Sequence, residues 1–423
     1  MDNVVNAEIT EGGEGQTFDI PQPKAPRGFI TKIATAQFGV VGALYTPILV
    51  TLALRIAQVD PDNEAGSLSI VLATGALFAL FANPLFGRLS DRTRSRFGRR
   101  RPWMVGGVVA GLIGLTLIAF AQTIPIILIG WVITQCAYNA CLSSMQATVA
   151  DLVPSNQLGK VSGAIGFAQT APAIVCIPIA TLMPGAQLKF LLPALFAVAA
   201  VAFFAISLPD RQVSEQRDRF SIKEFIGSLW TNPVEHRDFG WAWICRFLVS
   251  FGAMAPPAYL FYYLTADFGL SEDDAVGQVT LLIMVSYVVM AGAALVGGWL
   301  SDRIAARKPF LIASSLVQFV GLVVLAAAPD LWTIMLSQVL VGIGGGIFFA
   351  VDMAVMTEVL PNKADAAKDL GVMNIAVVLP QVLAPTVAVF ILGGTDNYVL
   401  FFVVTAVVSL CGTFTVPRIR GIR

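Results

Sequence analysis

Twelve stretches of about 20 mostly apolar residues, the length that crosses a bilayer as a helix, run through this chain. They lie at about 31–55, 67–87, 102–122, 125–149, 159–182, 188–208, 239–265, 275–300, 309–328, 331–358, 368–392 and 397–416. Each is too long for a strand. In lipid every backbone N–H and C=O must be satisfied within the segment, which such runs achieve as helices. The expected fold class is therefore an all-α membrane protein with twelve transmembrane helices. The polar segment 209–238 divides them six and six. The expected organisation is a disordered N-terminal tail (1–30), a six-helix bundle (31–208), a linker (209–238), a second six-helix bundle (239–416) and a C-terminal tail (417–423).

Composition agrees with a lipid solvent. Hydrophobic residues are 56% of the chain and charged residues 13%, against roughly 25% charged in a soluble domain. The placement of charge sets the orientation. Of the 27 Lys and Arg, only Arg55 and Lys189 fall at the ends that border odd-numbered connections, and only Arg246 lies deep inside a span; Lys32, Lys160 and Lys368 stand within two residues of a span's start. The others occupy the tails and the even-numbered connections. By the positive-inside rule, both termini and the linker lie in the cytoplasm of a plasma-membrane protein. No signal peptide is read, so the first run serves as an uncleaved span.

Six residues recur one half-chain apart. Gly87-Arg-Leu-Ser-Asp-Arg92 returns as Gly298-Trp-Leu-Ser-Asp-Arg303, 211 residues later. Asp151-Leu-Val-Pro154 returns as Glu358-Val-Leu-Pro361, 207 residues later. Parallel repeats of this kind build many secondary transporters. Asp91 and Asp302 stand at helix ends amid arginines. An arginine can pair with the acid that ends a neighbouring helix, so the Arg92 cluster is expected to meet Asp151, and Arg303 to meet Glu358. These pairs would latch the cytoplasmic side; alternatively, the basic turns only enforce topology. Together with Gly87 and Gly298 these residues form the candidate cytoplasmic gate. Gly107, Gly111 and Gly114 follow small-residue spacing in the third span, which suits close helix packing. Gly342, Gly344, Gly345 and Gly346 in the tenth suit either packing or a hinge.

The Gly-x-Leu-Ser-Asp-Arg turn resembles the signature loop of the major facilitator superfamily. Its extension, Asp91-Arg-Thr-Arg-Ser-Arg-Phe-Gly-Arg-Arg-Arg-Pro102, is similar to the glycoside–pentoside–hexuronide cation symporters and the sucrose–proton symporters. So is Asp352-Met-Ala-Val-Met-Thr-Glu-Val-Leu-Pro361, followed by Asp369-Leu-Gly371 and Asn374. The resemblance implies two pseudo-symmetric bundles around a central cavity lined by helices one, four, seven and ten. It also implies transport of a small solute coupled to an ion. Melibiose-type members carry acids in the first and fourth helices. This chain has Gln37 and Tyr45 in the first and Gln135 and Asn139 in the fourth, so sodium–melibiose chemistry does not carry over.

Ionisable groups at bilayer depth default to a functional reading. Asp352 lies six residues before Glu358, about 9 Å deeper along a helix. Arg246 lies at similar depth on the seventh span, which runs the other way. Either Asp352 couples transport to a proton, with Arg246 competing for it, or the two form a static buried pair that fixes helix register. Amides and phenols inside the spans donate and accept alike, which suits a hydroxylated solute. They are Asn83, Gln135, Asn139, Gln169, Tyr259, Tyr287, Gln338, Asn374 and Gln381. The cavity-lining helices favour Gln37, Tyr45, Gln135, Asn139 and Tyr259 as substrate ligands; any of them could instead bond helix to helix.

The function classes left out are clear. His236 is the only histidine, and the five cysteines lie in apolar runs, so neither a metal site nor a cofactor is expected. No Gly-x-x-x-x-Gly-Lys-[Ser/Thr] loop supplies nucleotide hydrolysis, and no nucleophile–His arrangement suggests an enzyme. The formal net charge of zero gives no reason for a nucleic-acid partner. The expected protein is a monomeric transporter with a small-molecule substrate. Its coupling ion is read as a proton, with sodium as the alternative. Efflux of drugs or metabolites is the rival function; a sensor on the same fold is a further one.

Overall fold

A computed structural model of the chain describes residues 26, 28–153, 158–208, 235–304, 306–359, 366–392 and 397–422. The linker at 209–234 and most of the N-terminal tail lie outside the described residues, as does the side chain of Asp302. Twelve helices long and apolar enough to cross a membrane follow one another. They are α1 (Phe29–Val59), α2 (Glu64–Arg92), α3 (Arg101–Phe120), α4 (Ile124–Leu152), α5 (Leu158–Thr181) and α6 (Gly185–Ser207) in the first half. The second half has α7 (Arg237–Ala266), α8 (Glu272–Ile304), α9 (Lys308–Ala326), α10 (Leu331–Glu358), α11 (Ala366–Leu392) and α12 (Tyr398–Thr413). Arg55, expected in a connection, lies in the last turns of α1, where Nη2 reaches the Ala121 carbonyl at 2.5 Å.

The two halves pack alike. In the first, α2 and α3 flank α4, α1 packs on α5 and α6, and α3 packs on α6. In the second, α8 and α9 flank α10, α7 packs on α11 and α12, and α9 packs on α12. The bundles meet through α2 against α11 and α5 against α8. Glycines permit the closest approaches. A Cβ on Gly107 would come within 2.6 Å of the Ala137 carbonyl, and one on Gly114 within 2.7 Å of the Gly130 carbonyl. In α10, Gly342 faces the Ser286 carbonyl at 2.6 Å and Gly344 the Ser314 carbonyl at 2.7 Å. The glycine run thus wedges α10 between α8 and α9. The helix is unbroken from Leu331 to Glu358, so packing and not a hinge accounts for it.

The true breaks lie in α1 and α7. A π turn at Pro47–Thr51 interrupts α1, and a 3-10 turn at Pro256–Tyr259 interrupts α7. Proline lacks the N–H that the previous turn would accept, so both helices change pitch there. Pro47 and Pro256 lie 209 residues apart, within the range of the repeat. This is a third sign of duplication, written in backbone geometry.

The arginine-rich connections α2–α3 and α8–α9 lie at one end of the molecule, here the basic end; the other is the far end. Cross-bundle side-chain bonds seal the far end. Tyr262 donates to the Ala53 carbonyl at 3.0 Å, Tyr259 shares a 2.7 Å hydrogen bond with Ser69, and Thr280 reaches Thr181 at 3.5 Å. One buried apolar cluster runs through both bundles there, taking in Leu52, Val71, Leu260 and Phe402. At the basic end a separate cluster belongs to the second half alone and includes Phe239, Leu311, Phe348 and Ile419. Residues 417–422, expected as a tail, are folded onto that cluster. Ile419 and Ile422 are buried, and Asp238 accepts the Arg420 and Gly421 N–H groups at 2.9 and 2.8 Å.

Candidate functional site: a buried ion pair and two amide clusters

The register of α10 places Asp352 inward, with its side chain 7% exposed. Arg246 of α7 meets it, Nη1 to Oδ2 at 2.9 Å, with the guanidinium side chain 9% exposed. Nη1 also abuts Met356 Sδ, one turn further along α10. Counting residues from the helix ends had set these groups at matched depth; the structure brings them into contact. Either charge left alone away from water would be costly.

The polar side chains gather into two groups. On α2 and α4, Asn83 Nδ2 donates to Asn139 Oδ1 at 3.4 Å, and Asn139 Nδ2 donates to the Gln135 carbonyl at 2.9 Å. On α1 and α5, Gln37 Nε2 donates to Gln169 Oε1 at 3.1 Å. Gln169 also bonds Tyr45, and Tyr287 of α8 lies within electrostatic reach of the Tyr45 phenol. Gln37, Tyr45, Gln135 and Asn139 therefore sit in amide clusters. Tyr259 does not: it is fully buried at the far-end seal, bonded to Ser69 and packed edge-on to Phe401 at 5.0 Å. Its expected place as a substrate ligand is corrected to a closure contact in this state. The break at Pro256 turns that stretch of α7 toward α2.

The acids of the repeat are paired as expected in kind. Asp151 is held by Arg99 at 2.6 Å and by Arg100 Nε at 3.1 Å. Arg100 also pairs with Asp91 and donates to Ser90 Oγ at 2.5 Å. In the second half Arg307 donates to Ser301 Oγ at 2.9 Å and faces Glu358 at 3.6 Å. Arg303 instead lies over the Trp299 ring at 5.2 Å. Within the Arg92 cluster Arg99 and Arg100 hold Asp151, and Arg307 takes the place expected for Arg303 at Glu358; Arg100 and Arg307 each stand at the N-terminus of their helix, opposite the acid. A signal was available. Each stands two residues before a proline, Pro102 and Pro309, and aligning the halves on those prolines superimposes them. Every one of these pairs stays within one bundle, so they brace each half and do not span the gap between halves. Gly87 and Gly298 face Ser143 and Ala350 at ordinary contact, 3.8 and 3.5 Å from a built Cβ. Neither position demands glycine in this state.

A family model described as Major Facilitator Superfamily matches residues 32–304 and 242–420. The chain belongs to the Major Facilitator Superfamily. It is a multi-pass membrane protein of that superfamily. Among similar curated proteins, an uncharacterized symporter of Synechocystis is 40% identical over 81 residues, 19% of this chain and 15% of that protein. A triacylglyceride transporter of Mycolicibacterium smegmatis is 30% identical over 189 residues, 43% of this chain and 33% of that protein. In both, the chain spans a third or less of the relative's own length. A multidrug resistance protein of Proteus mirabilis is 24% identical over 391 residues, 87% of this facilitator and 90% of that protein. Among solved structures, a nucleoside transporter mutant superimposes with a TM-score of 0.72 at 15% identity, covering 93% of this chain and 100% of the other. Likeness at that identity shows the shared fold alone.

Proposed function

We propose that this facilitator is a plasma-membrane symporter that carries a small hydroxylated solute, a sugar or glycoside, together with a proton. It works as a monomer by alternating access, with both termini and the basic end in the cytoplasm. The buried Arg246–Asp352 pair carries the reading, because an ion pair held in lipid-depth surroundings is the group on which a proton has most effect. When Asp352 takes a proton from the open side, its carboxylate becomes a neutral acid. Arg246 then keeps its charge without an anion and turns to another acceptor, such as the solute or an amide carbonyl. Release of the proton on the other side restores the pair. A proton can shift the balance between states in this way only because the pair is worth more in one state than in the other. The amide clusters around Gln135, Asn139, Gln37 and Gln169, with Tyr45, support recognition of hydroxyls by groups that both donate and accept. With the far end sealed, this state faces the cytoplasm.

The test is uptake of a panel of labelled sugars by cells expressing the protein, with and without an uncoupler. Asp352→Asn is expected to abolish accumulation against a gradient while counterflow exchange remains measurable. Accumulation intact in that variant would remove Asp352 from coupling. The alignment with the multidrug resistance protein over most of both chains favours one second reading, proton-coupled efflux. Absence of uptake with raised tolerance to a toxic compound would select it.

A further inference from the structure

An apolar groove of about 540 Å³, close to the volume of one acyl chain, opens on the surface of the first bundle. Helices α2 and α3 both pack on α4, and the gap between them is the groove. Its floor is Ile133, Cys136, Ala137 and Ala140 of α4, on the face opposite Gln135 and Asn139 by helical register. Its α3 wall is made of small residues, Gly106, Gly107 and Ala110. The groove begins beside Thr93 and Trp103 and runs to Ala110, seven residues along α3, or about 10 Å. That is about a third of the ~30 Å hydrocarbon core, so the groove accommodates the headgroup-side part of a chain from one leaflet.

Charge lies at its mouth. Trp103 Nε1 donates to Thr93 Oγ1 at 2.6 Å and closes the top of the groove. The arginine turn continues directly from Thr93. Arg99 and Arg100 are engaged by Asp151 and Asp91. Arg94 and Arg96 are exposed, and among the described residues neither has an ion-pair partner. Arg96 lies over the ring of Phe97, 58% exposed, at 4.8 Å, an amphipathic pair suited to a headgroup interface.

We propose that this groove is a binding site for an anionic phospholipid of the leaflet on the basic side, one acyl chain along α3 and its phosphate at Arg94 and Arg96. Assigning that leaflet to the cytoplasm rests on the orientation above; binding itself does not. The groove and the amide cluster share α4, on opposite faces, so an occupied groove would hold the helix that carries Gln135 and Asn139.

Purified full-length protein exchanged into phosphatidylglycerol or phosphatidylcholine would be examined by native mass spectrometry. Phosphatidylglycerol adducts are expected to survive delipidation where phosphatidylcholine adducts do not. The double variant Arg94→Gln, Arg96→Gln is expected to lose about 30-fold in phosphatidylglycerol affinity, roughly fivefold for each arginine, and to keep its weak phosphatidylcholine binding. Gly106 has open space where a Cβ would stand, so Gly106→Leu fills the groove and is expected to remove adducts of both lipids. A second measurement needs no variant: phosphatidylglycerol should slow alkylation of Cys136, on the groove floor, and leave that of Cys411 unchanged. Equal retention of the two lipids, wild-type occupancy in Gly106→Leu, or alkylation of Cys136 indifferent to lipid would each overturn the proposal.

Discussion

Arg100 and Arg307 hold corresponding positions in the two halves, each bonded to the serine of the repeat and facing the acid that closes a neighbouring helix. Their surroundings differ. Arg100 is 4% exposed and engages Asp91 and Asp151. The Arg307 and Glu358 side chains are 19% and 40% exposed, and their pair is 3.6 Å long. The first half has four more residues in its basic turn, and with them Arg99, which adds a second grip on Asp151. A duplicated device thus serves as a dry brace in one bundle and as a solvent-screened pair in the other.

The largest effect expected from this asymmetry is in stability. Arg100→Ala removes the buried guanidinium that Asp91 and Asp151 share, leaves Asp151 to Arg99, and should destabilise the protein by about 3 kcal/mol. Arg307→Ala should cost under about 1 kcal/mol, as exposed pairs do. Thermal unfolding of the detergent-purified variants would measure both, and equal losses would erase the distinction. Next come the glycine seams. Gly114→Val drives carbon into the Gly130 carbonyl and should cost about 2–3 kcal/mol by overpacking. Gly321→Val in α9 meets Leu340 Cβ, Val341 Cγ2 and the Val341 backbone N at 3.0 Å, a wider gap than at Gly114, and should cost less in the same assay.

At the far end the second half supplies the phenols and the first half supplies acceptors. Tyr262→Phe removes the bond to Ala53 and should move the population toward the outward-open form by about 0.5–1.5 kcal/mol. Distances between spin labels on the far ends of α1 and α7 would report it; an unchanged distribution would show that apolar packing alone holds the seal. The smallest effect concerns helix caps. Asp330 caps α10 through the Thr333 N–H and hydroxyl, both at 2.8 Å, whereas Thr123, 207 residues earlier, makes no side-chain cap bond to α4. The Thr333 backbone and hydroxyl bonds hold the Asp330 carboxyl below its ordinary value. Its contribution is therefore present above the unfolded-state value and lost as pH falls through the folded one. Asp330→Asn should flatten that acid-side loss slightly, read as the melting temperature against pH below 5.

Much of this was legible in the residues. Length and hydropathy are local quantities, so twelve runs announced twelve helices. Counting depth along two helices of opposite direction matched the levels of Asp352 and Arg246, since helical rise is nearly constant, and the family resemblance, which puts helices seven and ten on one cavity, made a pair possible. Partner choice was harder to read. Arg92 and Arg100 differ little in composition or neighbourhood, and which one reaches Asp151 depends on how the basic turn folds back. Tyr259 read as a cavity residue because the resemblance puts its span on the cavity; it ends the 3-10 turn Pro256–Tyr259 and meets Ser69 in this state.

The sequence alone determined that this chain lives in lipid, crosses it as paired six-helix halves and keeps few charges at depth, because the cost of exposing backbone or charge to hydrocarbon acts on each segment by itself. Only the tertiary structure decided which arginine braces which acid, that the glycines of α10 are seats for its neighbours, and that the far end is the closed one. Those outcomes depend on helix rotation and approach, which are set by side chains from segments far apart in the chain.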